Sequence, residues 1–324
     1  FRRVLFRSRE FGPGATDYVN ASHVQLKTSP RRFIASQGPL HTTFPDFWQM
    51  CDQESVGVII MLTNLHEGGR EKCSRYWVPQ PSCGWDIDVD GDSGDDEGGG
   101  GFFSLASAPS ETDATTVRRS IFVHRKTEPL ARRRRIRHIQ YRAWPDFDIP
   151  AQPSDVVELV REVEQAQRDY MAEVNWQGPE EPPILAHCSA GVGRTGVFIM
   201  VSTMLEKLRR DRQAARDANS MDVDTPSQSP LPSPESISSD TASISAGLYA
   251  STLNSSALDA DDAPPSPPAG PALENAEPVF AGVNEMREQR MSMVANYRQF
   301  CCVHECVLVG ALDEIAKELA AGLL

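Results

Sequence analysis

Cys188 and Arg194 are separated by five residues in the string HCSAGVGRTG, 187–196, and all five, Ser189, Ala190, Gly191, Val192 and Gly193, are small. A free thiol titrates near ~8.5, and only the thiolate is a strong nucleophile, so chemistry at neutral pH needs surroundings that favour the anion. Residues 183–187 read as a buried strand, and 195–210 (TGVFIMVSTMLEKLRR) as an apolar helix ending in basic residues. A strand therefore enters the loop and a helix leaves it. Small residues let such a loop curl with its N–H groups inward, glycines allow the positive-φ turns, and the helix adds its positive end. The product is an anion cradle that is expected to depress the pKa of Cys188. The planar fork of Arg194 can hold two oxygens of a phosphate through its transition state. Thr195 can donate a hydrogen bond to the sulfur when it becomes a leaving group. The bland alternative is a buried cysteine in a glycine-rich turn; a ten-residue string in strand–loop–helix context weighs against it.

The elements that must carry this loop follow from periodicity. Residues 56–62 (VGVIIML) form a short apolar run rich in β-branched residues, as a buried strand does. Residues 117–124 and 135–141 alternate in part and predict sheet strands. Residues 154–172 put Val156, Val157, Leu159, Val160 and Val163 on one helical face, with Asp155 and Glu158 near the start, where the helix dipole favours acids. Strands alternating with helices predict an α/β fold.

The string HCSAGVGRTG resembles the signature of the protein tyrosine phosphatase family, in its tyrosine-specific, cysteine-dependent branch. The resemblance implies a twisted mixed β-sheet flanked by helices and hydrolysis of phosphotyrosine through a phosphocysteine, with no metal or cofactor. WPDFDIP, 144–150, resembles the loop that closes over the substrate, which makes Asp146 the general acid and places Phe147 on the substrate ring. Expelling a phenolate at neutral pH does require an acid. DYVNAS (17–22), FIASQGPL (33–40) and FPDFWQM (44–50) resemble further family strings. VGVIIMLTNLHEGGREKCSRYWVP (56–79) resembles the strand and loop whose Glu and Lys are here Glu67 and Lys72. Glu67 is expected to fix Arg194, and Lys72 to approach Asp146 or the phosphate; the competing reading for each is a solvated surface charge. MREQRMSMV (286–294) resembles a late helix whose arginines, Arg287 and Arg290, lie behind the phosphate loop.

This sequence departs from the family at three places. Where QTxxQ is usual it has ANYRQ: Gln299 matches the second Gln, but Ala295 replaces the first, which positions the hydrolytic water. Asp148 stands where glycine is usual, two positions after the general acid. The family's KNRY-type tyrosine has no counterpart, because residues 1–16 contain no tyrosine. The expectation is that 1–16 is a truncated or non-native start and that 17–324 is one catalytic domain. Ala295 and the missing tyrosine favour a rival reading, a weakened phosphotyrosine-binding pseudophosphatase; intact Cys188, Arg194 and Asp146 oppose it. A dual-specificity or lipid phosphatase would need a shallow pocket, and a scaffold would act through the acidic segments.

The net charge of −13 is concentrated in two stretches. Residues 84–116 hold nine acids and no Lys or Arg, residues 211–281 eleven acids and two arginines, and the rest of the chain is left at +5. A basic body suits an anionic substrate. Both stretches read as disordered insertions, since they lack periodic apolar residues. DIDVDGDSGDDE (86–97) matches a calcium-loop pattern, but GGGG follows it and Pro79 and Pro81 precede it, so an acidic solvated loop is expected. Arg132 to Arg135 with Arg137 reads as a basic rim near the active site, with nuclear import as the alternative. No apolar run approaches the ~20 residues of a membrane span. The seven cysteines are odd in number without zinc-ligand spacing and read as reduced thiols in a cytoplasmic setting, with nuclear placement as a second one. The expected partners are phosphotyrosine proteins, signalling kinases among them by resemblance to fungal phosphatases, with no nucleic acid or membrane.

Overall fold

The structure, a computed structural model, describes residues 3–5, 18–79, 83–90, 115–146, 148–221 and 277–322. The strands are β1 (Arg3–Leu5), β2 (Tyr18–Val24), β3 (Phe33–Ser36), β4 (Val58–Met61), β5 (His66–Glu67), β6 (Arg70–Glu71), β7 (Trp85–Asp90), β8 (Thr116–Arg125), β9 (Arg134–Tyr141) and β10 (Ile184–His187). The helices are α1 (Phe44–Gln53), α2 (Pro153–Glu173), α3 (Gly193–Met221), α4 (Pro278–Gln289) and α5 (Tyr297–Ala320). Eight strands form one mixed sheet in the order β1-β2-β3-β10-β4-β9-β8-β7. Its centre, β3-β10-β4-β9, is parallel and both flanks are antiparallel.

Side-chain alternation makes the layers. Val58 and Ile60 of β4 join a core with Val156, Val160, Val163, Phe198 and Val201 of α2 and α3. Ile59 and Met61 face the other way, into a core built on Phe47, Trp48, Tyr76 and Trp77. Central strands buried on both faces read as continuous apolar runs, which is why 56–62 shows no alternation. The apolar face foreseen for α2 is the face it buries, and Asp155 lies in its first turn. Among the described residues, no helix is long and apolar enough to cross a membrane.

Two boundaries differ from expectation. Residues 85–90 of the first acidic stretch are not loop but strand β7, paired antiparallel with β8. Trp85 and Ile87 face the core, while Asp86, Asp88 and Asp90 face solvent. Asp88 pairs with Arg133 at 2.6 Å, and Asp86 lies 3.4 Å from His124. A flat strand with outward carboxylates cannot wrap a cation, so Asp86, Asp88 and Asp90 do not form a calcium loop; Gly91 and Glu97 lie outside the described residues. The second stretch begins later than expected, because α3 continues to Met221, and it ends earlier, because α4 starts at Pro278. The remainder of both insertions, and most of 1–16, lies outside the described residues. The chain groups into a compact unit drawn from 1–213 and 276–324 and a second from 214–275, of which 214–221, the last turns of α3, are described.

The basic run is also placed differently. Arg134, Arg135 and Arg137 occupy the amino end of β9, whereas the strings that resemble the family's converge beyond the carboxyl ends of the parallel strands. Arg134 binds the carbonyls of Cys51, Asp52 and Val56, and Arg135 and Arg137 pair with Glu173. These arginines close the far end of the sheet and do not rim Cys188.

Candidate active site

The carboxyl ends of β3, β4, β9 and β10 deliver four loops to one place, where ligands of open α/β sheets bind. β10 ends at His187, Cys188 follows, and α3 begins at Gly193. The loop between is held by its carbonyls. Cys188 O lies 3.1 Å from His187 Nδ1, and Ser189 O accepts the Gly38 N–H at 2.8 Å. Arg290 donates to Ala190 O at 3.0 Å and to Gly191 O at 2.8 Å. Val192 O accepts from Gly196 and Val294. In a planar trans peptide the N–H points opposite to the C=O. Five carbonyls fastened from outside therefore turn the N–H groups of 189–193 inward, and the Gly191 N–H donates to Cys188 Sγ at 3.2 Å. Gly191 has φ +70°, and a Cβ there would lie 2.0 Å from Ser36 O, so no other residue fits.

Arg194 is 2% exposed and fixed on three sides. Its Nη1 and Nη2 donate to Glu67 Oε1 and Oε2 at 2.7 and 3.1 Å. Nη1 also donates to Trp144 O at 3.0 Å and Nη2 to Asp146 Oδ1 at 3.1 Å. Glu67 comes from the β5–β6 hairpin, whose two-residue Gly68–Gly69 turn has both φ values positive, as a type I′ turn requires. Burial raises the pKa of Glu67, but bonds from Arg194, the Asn64 N–H and the Thr63 hydroxyl outweigh it and hold the carboxyl below its usual range. Lys72 Nζ pairs with Asp146 Oδ2, so one carboxylate bridges both cations of the site. Glu67, Lys72, Arg142, Trp144 and Asp146 line an open cavity of about 610 Å³.

Thr195 is fully buried and its hydroxyl has no hydrogen-bond partner among the described residues, which is costly unless a partner arrives during function. Gln299 is buried beside Gly193, its Oε1 accepting the Ala295 N–H at 2.9 Å. Asn296 caps α5 by accepting the Gln299 N–H. Arg287, expected to bind substrate, has its guanidinium on backbone carbonyls of the loop after α4. It donates to Met293 O and Val294 O at 2.9 and 2.8 Å and so supports the turn in which Ser292 and Val294 take positive φ. Arg290 is the arginine that grips the cradle. Phe147 lies outside the described residues. Among those residues no group of three or more candidate metal ligands occurs.

A buried relay behind Cys188 was not foreseen. Tyr76 Oη lies 2.8 Å from both His138 Nε2 and His187 Nε2. Because His187 Nδ1 faces a carbonyl it carries the proton, so Tyr76 donates to His187 Nε2 and accepts from His138 Nε2–H. Arg119 stands 3.4 Å from His138 Nδ1, the remaining acceptor. Burial lowers the pKa of His187 to about 4, and that of His138 well below its ordinary value. The neutral form is thus favoured in the fold, while the unfolded chain takes up protons near ~6.5. The stability these histidines supply is present above ~6.5 and is lost as pH falls toward 4. Urea unfolding should show about 2 kcal/mol less stability at pH 5 than at pH 7 from His187 alone. A flat profile between those values would contradict the neutral relay.

The site's loops come from widely spaced strings, and a profile of the protein-tyrosine phosphatase family matches residues 2–223, stopping short of the α4 and α5 residues Arg290 and Gln299. The chain is 38% identical over 209 residues to Tyrosine-protein phosphatase Lar-like of Caenorhabditis elegans, an overlap of 64% of this chain and 8% of that protein. It is 32% identical over 210 residues to Tyrosine-protein phosphatase non-receptor type 9 of Homo sapiens, covering 64% and 32%. Receptor-type tyrosine-protein phosphatase F of Rattus norvegicus is 30% identical over 210 residues, covering 65% and 10%. This chain spans about a third or less of the length of these relatives. The family profile covers well over half of the residues and includes the whole cradle around Cys188: the chain belongs to the protein-tyrosine phosphatase family.

Proposed function

We propose that the chain hydrolyses phosphotyrosine on proteins through a phosphocysteine at Cys188. The observation that carries this reading is the ring of inward amides around Cys188 Sγ, closed by a guanidinium already fixed by Glu67. A tetrahedral dianion matches that donor set. As phosphate draws Arg194 away, Asp146 takes up a proton from solvent; in the first step Sγ bonds to phosphorus, the phosphorus–phenol bond breaks, and Asp146 gives that proton to the phenol oxygen. In the second, water attacks phosphorus and loses a proton to Asp146, the P–S bond breaks, and the thiolate accepts a hydrogen bond from the free Thr195 hydroxyl. Lys72 neutralises Asp146 between steps, and Gln299, beside Gly193, is the amide left to orient water where Ala295 has none. Substrates include phosphorylated signalling kinases on this reading.

Phosphate release from a phosphotyrosine peptide tests it, with a phosphoserine peptide alongside. Steady release from the first alone is expected, and Cys188→Ser should abolish it. The second reading, a binding module, is favoured by Ala295; it predicts tight phosphopeptide binding with at most one equivalent of product released.

A further inference from the structure

One of the positions that depart from the family strings meets a residue of the ANYRQ string in space. Arg298, within ANYRQ, places Nη1 2.9 Å from Oδ1 of Asp148, the residue standing where glycine is usual. Asp148 is held by its own turn. Asp148 O accepts the Trp144 indole N–H at 3.0 Å, and Asp148 Oδ1 also accepts the Ile149 N–H at 2.8 Å. Trp144 in turn offers its carbonyl to Arg194. Arg298 sits in the first turn of α5, next to buried Gln299. A glycine at 148 has no side chain with which to make this connection.

We infer that Asp148 and Arg298 are positioning residues whose ion pair fastens the turn carrying Asp146 to the amino end of α5. The inference rests on the phosphatase reading above. The turn bears the group proposed to protonate the phenol, and α5 bears Gln299, so the pair ties the first step's acid to the second step's amide. Ala295 gives it added weight: with no glutamine there, Asp146 must be in place for both steps. The arginine is 66% exposed and the aspartate 39%, so water screens the attraction and the gain is modest. Asp148 is already oriented by its own turn, which reduces the ordering entropy that usually cancels exposed pairs.

The test measures kcat/KM for the full chain on a phosphotyrosine peptide and on an aryl phosphate whose phenol is acidic enough to leave unassisted. Asp148→Asn, Arg298→Gln, the double variant and Arg298→Lys are compared at low and high salt. Each neutralising change should lower kcat/KM on the peptide about twofold to fivefold and leave the activated ester unchanged. The double variant should lose no more than the worse single one, Arg298→Lys should retain most of the activity, and high salt should remove the wild-type advantage. Additive losses, equal losses on both esters, or losses indifferent to salt would overturn the pair's role while leaving the phosphatase reading intact. Hydrolysis of neither ester by the wild type would remove the phosphatase reading, and this inference with it.

Discussion

Arg194→Lys should lower kcat/KM on a phosphotyrosine peptide about a thousandfold, although the proposed nucleophile, the amide ring and the proposed general acid all remain. The guanidinium presents paired donors in a plane. Two of its nitrogens already hold Glu67, at 2.7 and 3.1 Å, while Nη2 also reaches Asp146. A lysine ammonium is a point charge and cannot hold Glu67, the Trp144 carbonyl and two phosphate oxygens together. The change also leaves a half-buried carboxylate, Glu67, with its main partner gone, and removes the anchor of the Trp144 carbonyl. The loss therefore falls mainly on kcat, since donors aimed at charge that develops in the transition state are worth most there. Circular dichroism should show the variant folded, because Gly191, Arg290 and the β10 pairings are untouched. A loss under tenfold would mean that Arg194 serves only to hold Glu67.

Local signals carried the centre of this molecule and long-range pairing carried the rest. The strand before Cys188 and the helix after it were legible because each is a run of one periodicity, and the cradle because its small residues are contiguous. β7 was not, although WDIDVD alternates apolar and acidic residues over its whole length; the acids and glycines beyond it set the composition of the window and masked the alternation. The end of α3 failed for the opposite reason, since 211–220 has alanines but no large apolar residue to mark a buried helical face. Arg287 and Arg290 match the family string equally well. Only the fold shows that the α4 C-cap at Arg290 sends one guanidinium to Ala190 and Gly191 and leaves Arg287 to the Val294 turn. The Tyr76 relay and the Asp148–Arg298 pair join residues remote in sequence, and no spacing rule reaches across such distances.

Asp146→Asn separates the two jobs of that side chain, and it should lower kcat and KM together. In the proposed first step Asp146 is the acid that supplies the phenol's proton, and the loss of such an acid is worth about 10²–10⁴ in rate. As a resting anion, it occupies the site's own cations: Oδ1 is 3.1 Å from Arg194 Nη2, and Oδ2 pairs with Lys72. An incoming phosphate dianion must draw Arg194 away from this carboxylate. Asparagine keeps the shape and removes the negative charge, so phosphate meets a site more positive by one unit. Inorganic phosphate should then inhibit the variant at several-fold lower concentration than the wild type, and the phosphopeptide KM should fall likewise. The deficit in kcat should narrow sharply on an aryl phosphate with an acidic phenol, which needs no proton to leave. A rise in KM would show that the carboxylate helps to build the binding site and does not compete with the substrate. An equal deficit on both esters would show that Asp146 does not deliver the proton, and general-acid catalysis would then have to be sought in another group of the cavity that Lys72 and Arg142 line.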